Sequence, residues 1–244
     1  MSKPLLTELA KLAKARNLPL HMHLAQSQGE WQRVMKREAM TPVAYAEACG
    51  ALTPKTLAVH LVATDGGDWE RLKANGVTAG LCPASQILYE KLAPIAGLAS
   101  AGVPFAVGTD CAASNDGADL LAELKLMGLL AKDRGLPEAA RSPAALLAMG
   151  TSLGAGALGL SGQVGVLAKG MKADLVLFAK DLGSEPMPRP DVNLIYSMSS
   201  RQVRHVMVDG RWLLLDGRLA RVDEQDLARE YDVAVKAIRK RAGL

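Results

Sequence analysis

Apolar and polar residues follow two alternating patterns along the first two thirds of the chain. Stretches with apolar residues at helical spacing, among them residues 3–16 and 85–102, flank and separate four short and continuously apolar runs. The runs are PLHMHL from residue 19, TLAVHL from 56, VTAGLC from 77 and VPFAVG from 103. Continuous apolar runs are typical of parallel strands that are covered on both faces. The alternation therefore predicts an α/β fold with a parallel sheet, either doubly wound or a barrel.

The pattern changes near residue 162. The segments GQVGVLAKGMKADLVLFAKD and VRHVMVDGRWLLLDGRLARV have β character, and Asp-Gly pairs at 209–210 and 216–217 predict antiparallel hairpin turns in the second. An amphipathic pattern from 223 to 241 predicts a final helix. We therefore expect an α/β domain over 1–161, a β portion with a hairpin over 162–222 and a C-terminal helix over 223–244.

Composition excludes several classes of protein. The chain is 49% hydrophobic and 22% charged, with a net charge of +4 and no cluster of basic residues beyond IRKR near its end. Its three cysteines are odd in number and form no CxxC pair, which argues against a disulfide framework and a thiolate zinc site. No run approaches the ~18 apolar residues of a membrane span. We expect a cytoplasmic protein that acts on a small molecule and has no nucleic-acid or membrane partner.

Three polar residues lie near the C-terminal ends of predicted strands: His23, His60 and Asp110. Two imidazoles and a carboxylate suit a divalent metal ion with an open coordination position. The residues alone leave other interpretations open, because a strand histidine can be a hydrogen-bonded core residue and Asp110 can cap the next segment. His21 shares a strand face with His23, so a ligand set that includes both is a further alternative.

Five motifs follow one another in a family-specific order: HMHLAQSQGEW, LAVHLVATDGGDWERL, LCPASQ, AGVPFAVGTDCAASNDGADLLAELK and LGLSGQVGVLAKGMKADLVLF. As a set, from about residue 5 to about residue 220, they resemble the amidohydrolase superfamily. The nearest branch holds the S-adenosylhomocysteine, methylthioadenosine, guanine and cytosine deaminases and the s-triazine chlorohydrolases.

This resemblance implies a (β/α)8 barrel with a small β-sandwich and one divalent metal ion, zinc in preference to iron. It implies that His23 and Asp110 bind the metal, and that Asp110 takes a proton from water. His60 would contact the metal, its water or the substrate, while Ser85 and Gln86 would lie beside the substrate. The implied reaction is deamination, the hydrolysis of a C–N bond in a heterocyclic amine such as a purine, a pyrimidine or an adenosyl compound.

The sequence departs from the family pattern at Gln26, which stands where the family has a glutamate that shuttles a proton to the substrate ring. Glutamine forms hydrogen bonds but cannot relay a proton by ionising. Gln26 therefore keeps open a second hydrolytic reaction with another leaving group, as in the chlorohydrolases.

The HxH motif of the family's first barrel strand has no counterpart here. Only four barrel strands are counted, which the resemblance equates with strands 5–8 of a TIM-type barrel. It thus implies that residues 1–161 form a partial (β/α)8 barrel and that residues 162–222 form the C-terminal part of the β-sandwich. Half a barrel leaves two strand edges unpaired. We therefore expect a homo-oligomer or a missing N-terminal half, and weak or absent turnover by this chain alone. The alternative is a non-catalytic fragment or one half of a split assembly.

Overall fold

The computed structural model describes residues 1–244 and contains two sheets of four strands each. Sheet A is parallel, with the order β1-β2-β3-β4, and sheet B is antiparallel, with the order β5-β6-β7-β8. The elements of sheet A and its helices are α1 (Lys3–Ala15), β1 (Leu20–Leu24), α2 (Gln28–Glu38), α3 (Pro42–Ala48), β2 (Thr56–His60), α4 (Gly66–Ala74), β3 (Thr78–Leu81), α5 (Pro83–Tyr89), α6 (Ile95–Ser100), β4 (Phe105–Val107), α7 (Ala112–Asn115), α8 (Leu120–Asp133), α9 (Glu138–Arg141), α10 (Pro143–Gly150) and α11 (Ser152–Ala157). The remaining elements are β5 (Leu175–Phe178), α12 (Pro190–Tyr196), β6 (Val203–Val208), β7 (Arg211–Leu215), β8 (Arg218–Leu219) and α13 (Glu224–Ala242).

The four predicted strands of sheet A are confirmed, and each lies within its apolar run. Every residue of β2 is buried, as expected for a central parallel strand. In the register of β1 and β2, His23 lies opposite Val59 and Leu24 lies opposite His60. The C-terminal ends of these two strands are therefore level, and polar residues at those ends are brought together.

The two faces of sheet A are covered very differently. One face joins a core of 29 buried residues, which includes Leu24 of β1 and Ala58 of β2. The opposite face contributes to a cluster of only five: Leu57, Val59, Cys82, Ala106 and Ala157. His21 and His23 belong to this thinly covered face by strand alternation, and both are exposed.

One helix prediction is wrong. The pattern over residues 85–102 reads as a single helical stretch, whereas the structure has α5 and α6 with a break between them. Pro94 lies in this break. A proline has no amide hydrogen and disfavours helical geometry at the residue before it, so a continuous helix is not formed.

Sheet B confirms the predicted hairpins. The Asp-Gly turns between β6 and β7 and between β7 and β8 have positive φ at both residues, the type I′ geometry that suits a two-residue hairpin. The preceding β segment is shorter than its pattern indicates, because only Leu175–Phe178 forms a strand. Upstream of it, Gly162, Gly165 and Gly170 adopt positive φ values of 75°, 95° and 89°, which are incompatible with a strand.

The predicted C-terminal helix is present as α13. Asp223 caps it by accepting from the amides of Gln225 and Asp226, and Gly243 ends it in a left-handed conformation. None of the α13 residues is buried. No helix of the chain combines the length and the apolar character that a membrane crossing requires.

Candidate active site

His60 ends β2 and is only 2% exposed. The chain bends directly after it, with φ values of 80° at His60 and 53° at Leu61. The backbone oxygen of His60 accepts a hydrogen bond of 2.7 Å from Gln86 Nε2, whereas its buried ring atom Nε2 has no hydrogen-bond partner. Burial lowers the pKa of His60, His23 lowers it further, and Asp110 partly opposes them. The ring is therefore neutral at pH 7, with a nitrogen lone pair available.

His23 packs edge to face against this ring. The two imidazole centroids are 4.6 Å apart and the ring planes make an angle of 85°. In the register of β1 and β2, His23 lies opposite Val59 and His60 lies opposite Leu24, so regular alternation would place the two rings on opposite faces. The backbone of His60 departs from strand geometry, with a φ of 80°, and the two rings meet at this turn. Two imidazoles are thus held side by side at the ends of neighbouring strands.

Asp110 follows β4 and has a φ of 62°, which non-glycine residues seldom adopt. Its Oδ2 accepts from Ser85 Oγ at 2.7 Å, and its Oδ1 accepts from the Cys111 amide at 2.8 Å. Burial acts to raise the pKa of Asp110. The two hydrogen bonds and the nearby His60 outweigh it and lower the pKa below the ordinary value. Asp110 is therefore ionised at neutral pH.

Five of the predicted site residues line one cavity of about 230 Å³: Gln26, His60, Ser85, Gln86 and Asp110. The predicted residue His23 instead lines a neighbouring cavity of about 390 Å³ on the thinly covered face, together with His21. Asp110 lines both cavities and joins them. The first cavity is smaller than the about 300–1,000 Å³ of typical ligand pockets.

Gln26 reaches this cavity from the loop after β1. The chain turns at Ala25, with a φ of 51°, and the Gln26 amide donates to Glu30 Oε2 at 2.7 Å. The Gln26 side chain is exposed and faces the same space as His60 and Asp110. It can therefore form hydrogen bonds to a bound molecule but cannot exchange a proton by ionising.

The sequence reasoning missed three polar residues of the cavity wall: Tyr89, Glu90 and Ser114. Tyr89 ends α5 and Glu90 follows it, at helical spacing from Ser85 and Gln86. This spacing is the signal in the sequence that would have identified Tyr89 and Glu90, since residues three to four apart share a helix face. Ser114 lies in α7 and has no such signal.

The donor types fit a divalent metal ion such as zinc. His60 has a buried nitrogen without a partner, His23 is its neighbour, and Asp110 supplies an ionised carboxylate. No group of three or more His, Cys, Asp or Glu residues is gathered closely enough in this structure to hold an ion. The ligand set His23, His60 and Asp110, and its extension by His21, therefore stay predictions.

The chain belongs to the amidohydrolase family, whose model matches residues 1–213. A 5-methylthioadenosine/S-adenosylhomocysteine deaminase of Caldicellulosiruptor saccharolyticus is 36% identical over 242 residues, which is 98% of this chain and 55% of that protein. A 5′-deoxyadenosine deaminase of Methanopyrus kandleri is 32% identical over 231 residues, which is 93% of this chain and 53% of that protein.

Solved structures of similar proteins also superpose on nearly the whole of this chain. An adenosine deaminase of Xanthomonas campestris with bound zinc superposes with a TM-score of 0.93 at 26% identity, over 98% of this chain and 55% of that one. Atrazine chlorohydrolase TrzN of Arthrobacter aurescens, in complex with zinc, superposes with a TM-score of 0.87 at 25% identity, over 95% and 52%. The chain thus spans about half the length of the relatives that it matches.

Proposed function

We propose that this chain is the C-terminal part of a metal-dependent deaminase that hydrolyses the amino group of an adenosine-like compound. The observation that carries the proposal is the shared cavity of His60, Asp110, Ser85, Gln86 and Gln26 at the strand ends of sheet A. Active sites of parallel β/α barrels lie at this end of the sheet. The names of the relatives supply the substrate class, an adenosine with a modified 5′ position.

The metal would be held by His23, His60 and Asp110. Zinc is favoured over iron by the nitrogen and oxygen donors and by the zinc in the similar solved structures. Such an ion would supply Lewis acidity, which makes water a nucleophile near neutral pH.

Asp110 receives the proton of the attacking water. Its lowered pKa keeps it ionised, and the hydrogen bond from Ser85 sets the direction of its carboxylate. The water oxygen forms a bond to the ring carbon that carries the amino group. The amino group then takes the proton from Asp110, and the carbon–nitrogen bond breaks to release ammonia. His60, held by Gln86, stabilises the charge that develops on this path.

Gln26 favours one further candidate reaction. A positioned acid that protonates the ring nitrogen assists deamination, and Gln26 cannot do this by ionising. Chloride leaves without taking up a proton, and the superposition on atrazine chlorohydrolase supports hydrolysis with this leaving group as the second candidate.

We further propose that sheet A is strands 5–8 of a (β/α)8 barrel and that sheet B is the C-terminal part of a β-sandwich. The unpaired edges β1 and β4 and the thinly covered face of sheet A support this proposal, as does the matched share of the relatives. The partner that covers the open edges would be a second copy of this chain or an N-terminal half. The protein would act in the cytoplasm. Without that partner, the chain would be a non-catalytic fragment.

The test is ammonia release from 5-methylthioadenosine by zinc-loaded protein. We expect weak release by the 244-residue chain and none by Asp110→Ala. His205→Ala is the control, because His205 lies in sheet B and lines neither cavity of the site. Equal release by wild type and Asp110→Ala would contradict the proposal, and no release by a well-folded wild type would support the fragment alternative.

A further inference from the structure

A ring of hydrogen bonds lies beside the candidate site and is centred on Glu123 of α8. Glu123 is only 3% exposed, and each of its carboxylate oxygens has a partner. Oε2 accepts from the Ala84 amide at 3.0 Å, and Oε1 accepts from Asn115 Nδ2 at 2.8 Å. Glu123 thereby joins the start of α5 to the end of α7.

The Ala84 arm leads to the cavity through α5. The residue before this helix, Cys82, gives it no side-chain cap, so the Ala84 amide is one of the donors that a helix start leaves without a partner. Glu123 supplies the acceptor from a distant helix. The next residue, Ser85, donates to Asp110 Oδ2 at 2.7 Å.

The Asn115 arm leads to the same carboxylate from the other side. Asn115 Nδ2 also donates to the backbone oxygen of Thr109 at 2.8 Å, and Thr109 directly precedes Asp110. The ring therefore runs from Glu123 through Ala84 and Ser85 to Asp110, and returns through Thr109 and Asn115.

Asp110 needs such support because its φ of 62° is rarely adopted by non-glycine residues. We propose that Glu123 is a positioning residue that fixes the direction of the Asp110 carboxylate by holding Ser85 and Thr109 at the same time. The importance of that carboxylate for metal binding rests on the proposed function. The positioning itself rests only on the ring.

Both carboxylate oxygens of Glu123 act as hydrogen-bond acceptors in the ring. In Glu123→Gln the side chain keeps its shape, but its new NH2 group would face either the backbone N–H of Ala84 or the side-chain Nδ2 of Asn115. Both of these are donors, and so is the NH2 group. One arm of the ring must then break. Asp68→Asn is the matched control, because Asp68 is also a buried carboxylate, 2% exposed, and lies in α4 outside the ring.

The experiment is amide hydrogen exchange by NMR on the metal-free 244-residue protein, with thermal unfolding to verify folding. The informative amide is Cys111, an exposed residue whose amide donates to Asp110 Oδ1 at 2.8 Å. We expect this amide to exchange about tenfold faster in Glu123→Gln, as the loss of one hydrogen bond implies, and at an unchanged rate in Asp68→Asn. If only the Ala84 amide becomes faster, Glu123 is a helix cap and the proposal is wrong.

A second variant covers the case in which Glu123→Gln does not fold. Asn115→Ala removes one arm and leaves Glu123 in place, so the Cys111 amide should again exchange faster; an unchanged rate would overturn the proposal. Zinc titration by calorimetry separates this inference from the proposed function. We expect about tenfold weaker zinc binding in Glu123→Gln than in Asp68→Asn. A wild type that binds no zinc contradicts the metal site, while the exchange rates still decide the role of Glu123.

Discussion

Gln26 is the residue whose chemistry agrees least with deamination. It stands where the family resemblance implies a glutamate, and its side chain faces the same cavity as His60 and Asp110. An amide can orient a heterocycle by hydrogen bonds, but proton transfer by a positioned acid or base contributes about 10²–10⁴-fold to catalysis. A glutamine at this position should therefore hold the substrate and slow its deamination.

This argument predicts that Gln26→Glu increases ammonia release from 5-methylthioadenosine about tenfold or more, because the new carboxyl group can carry a proton. The control is Gln28→Glu, which adds the same charge two residues away at an exposed position that lines neither cavity of the site. If both variants are no faster than wild type, the second candidate, with another leaving group, gains support.

Motif order in the sequence predicted most of the residues that share the cavity. His60 and Asp110 were named from their places at strand ends, and Ser85, Gln86 and Gln26 from the family resemblance. All five line the same cavity in the structure. Glu123 was missed because it lies within a helix, α8, and does not follow a strand in the sequence. Its partners are backbone and amide groups, and such contacts leave no signal in the spacing of residues.

At the scale of elements, the apolar runs located all four strands of sheet A because a strand buried on both faces must be apolar throughout. The Asp-Gly pairs located both hairpins of sheet B because few other residues tolerate two positive φ values in succession. The break between α5 and α6 was missed, since helical spacing continues across Pro94 although the backbone cannot.

Asp68 links α4 to α3 and gives a pH-dependent prediction. Thr41 Oγ1 donates to Asp68 Oδ1 at 2.5 Å, while Oδ2 is buried without a partner. Burial raises the pKa of Asp68 above its ordinary value. The folded state then binds this proton more tightly than the unfolded state, so the contribution to stability is complete below the unfolded pKa and is lost as the pH rises through the folded pKa.

Wild type should therefore lose stability relative to Asp68→Asn as the pH rises above about 4, the ordinary pKa of an aspartate, by an amount on the order of 1 kcal/mol, the cost of an unpartnered buried oxygen. The free energy of unfolding in urea at several pH values measures this difference. A difference that does not change with pH would contradict the argument.

Gly97 in α6 lies beneath the Trp69 ring of α4, which occupies the place of a Cβ atom. Gly97→Ala should destabilise the protein by about 1–3 kcal/mol, because the ring or the helix must move. Gly66→Ala is the control, because Gly66 begins α4 and no atom lies within 4 Å of the place that a Cβ would take. This substitution should leave the stability of the protein unchanged or raise it slightly. Equal Tm values for the two variants would show that α4 and α6 do not pack as described.

For the whole molecule, the most important feature is the imbalance between the two faces of sheet A. One face adjoins 29 buried core residues and the other contributes to a cluster of five, and the edges β1 and β4 have no neighbouring strand. Unpaired strand edges favour association, and so do exposed apolar side chains such as Leu158, which lines the cavity on this face and is 48% exposed. The sequence predicted this imbalance only through the number of barrel strands, because four are present where the family resemblance implies eight. The division at residues 161 and 222 stays a prediction.

The isolated chain should therefore self-associate or bind an apolar dye. Sedimentation velocity over a range of concentrations measures the first property, and dye fluorescence measures the second. A protein that stays monomeric and does not increase the dye fluorescence would mean that the thinly covered face and the edges of sheet A are stable in water. No partner would then be required.

The central claim is that the strand ends of sheet A form a metal site. Elemental analysis of purified protein tests it most directly, on wild type, His23→Ala, Asp110→Ala and the control His205→Ala. We predict about one zinc per chain in wild type and His205→Ala, and almost none in the other two variants, since each removes one of few ligands. Zinc that persists in both His23→Ala and Asp110→Ala, or its absence from a well-folded wild-type chain, would contradict the account.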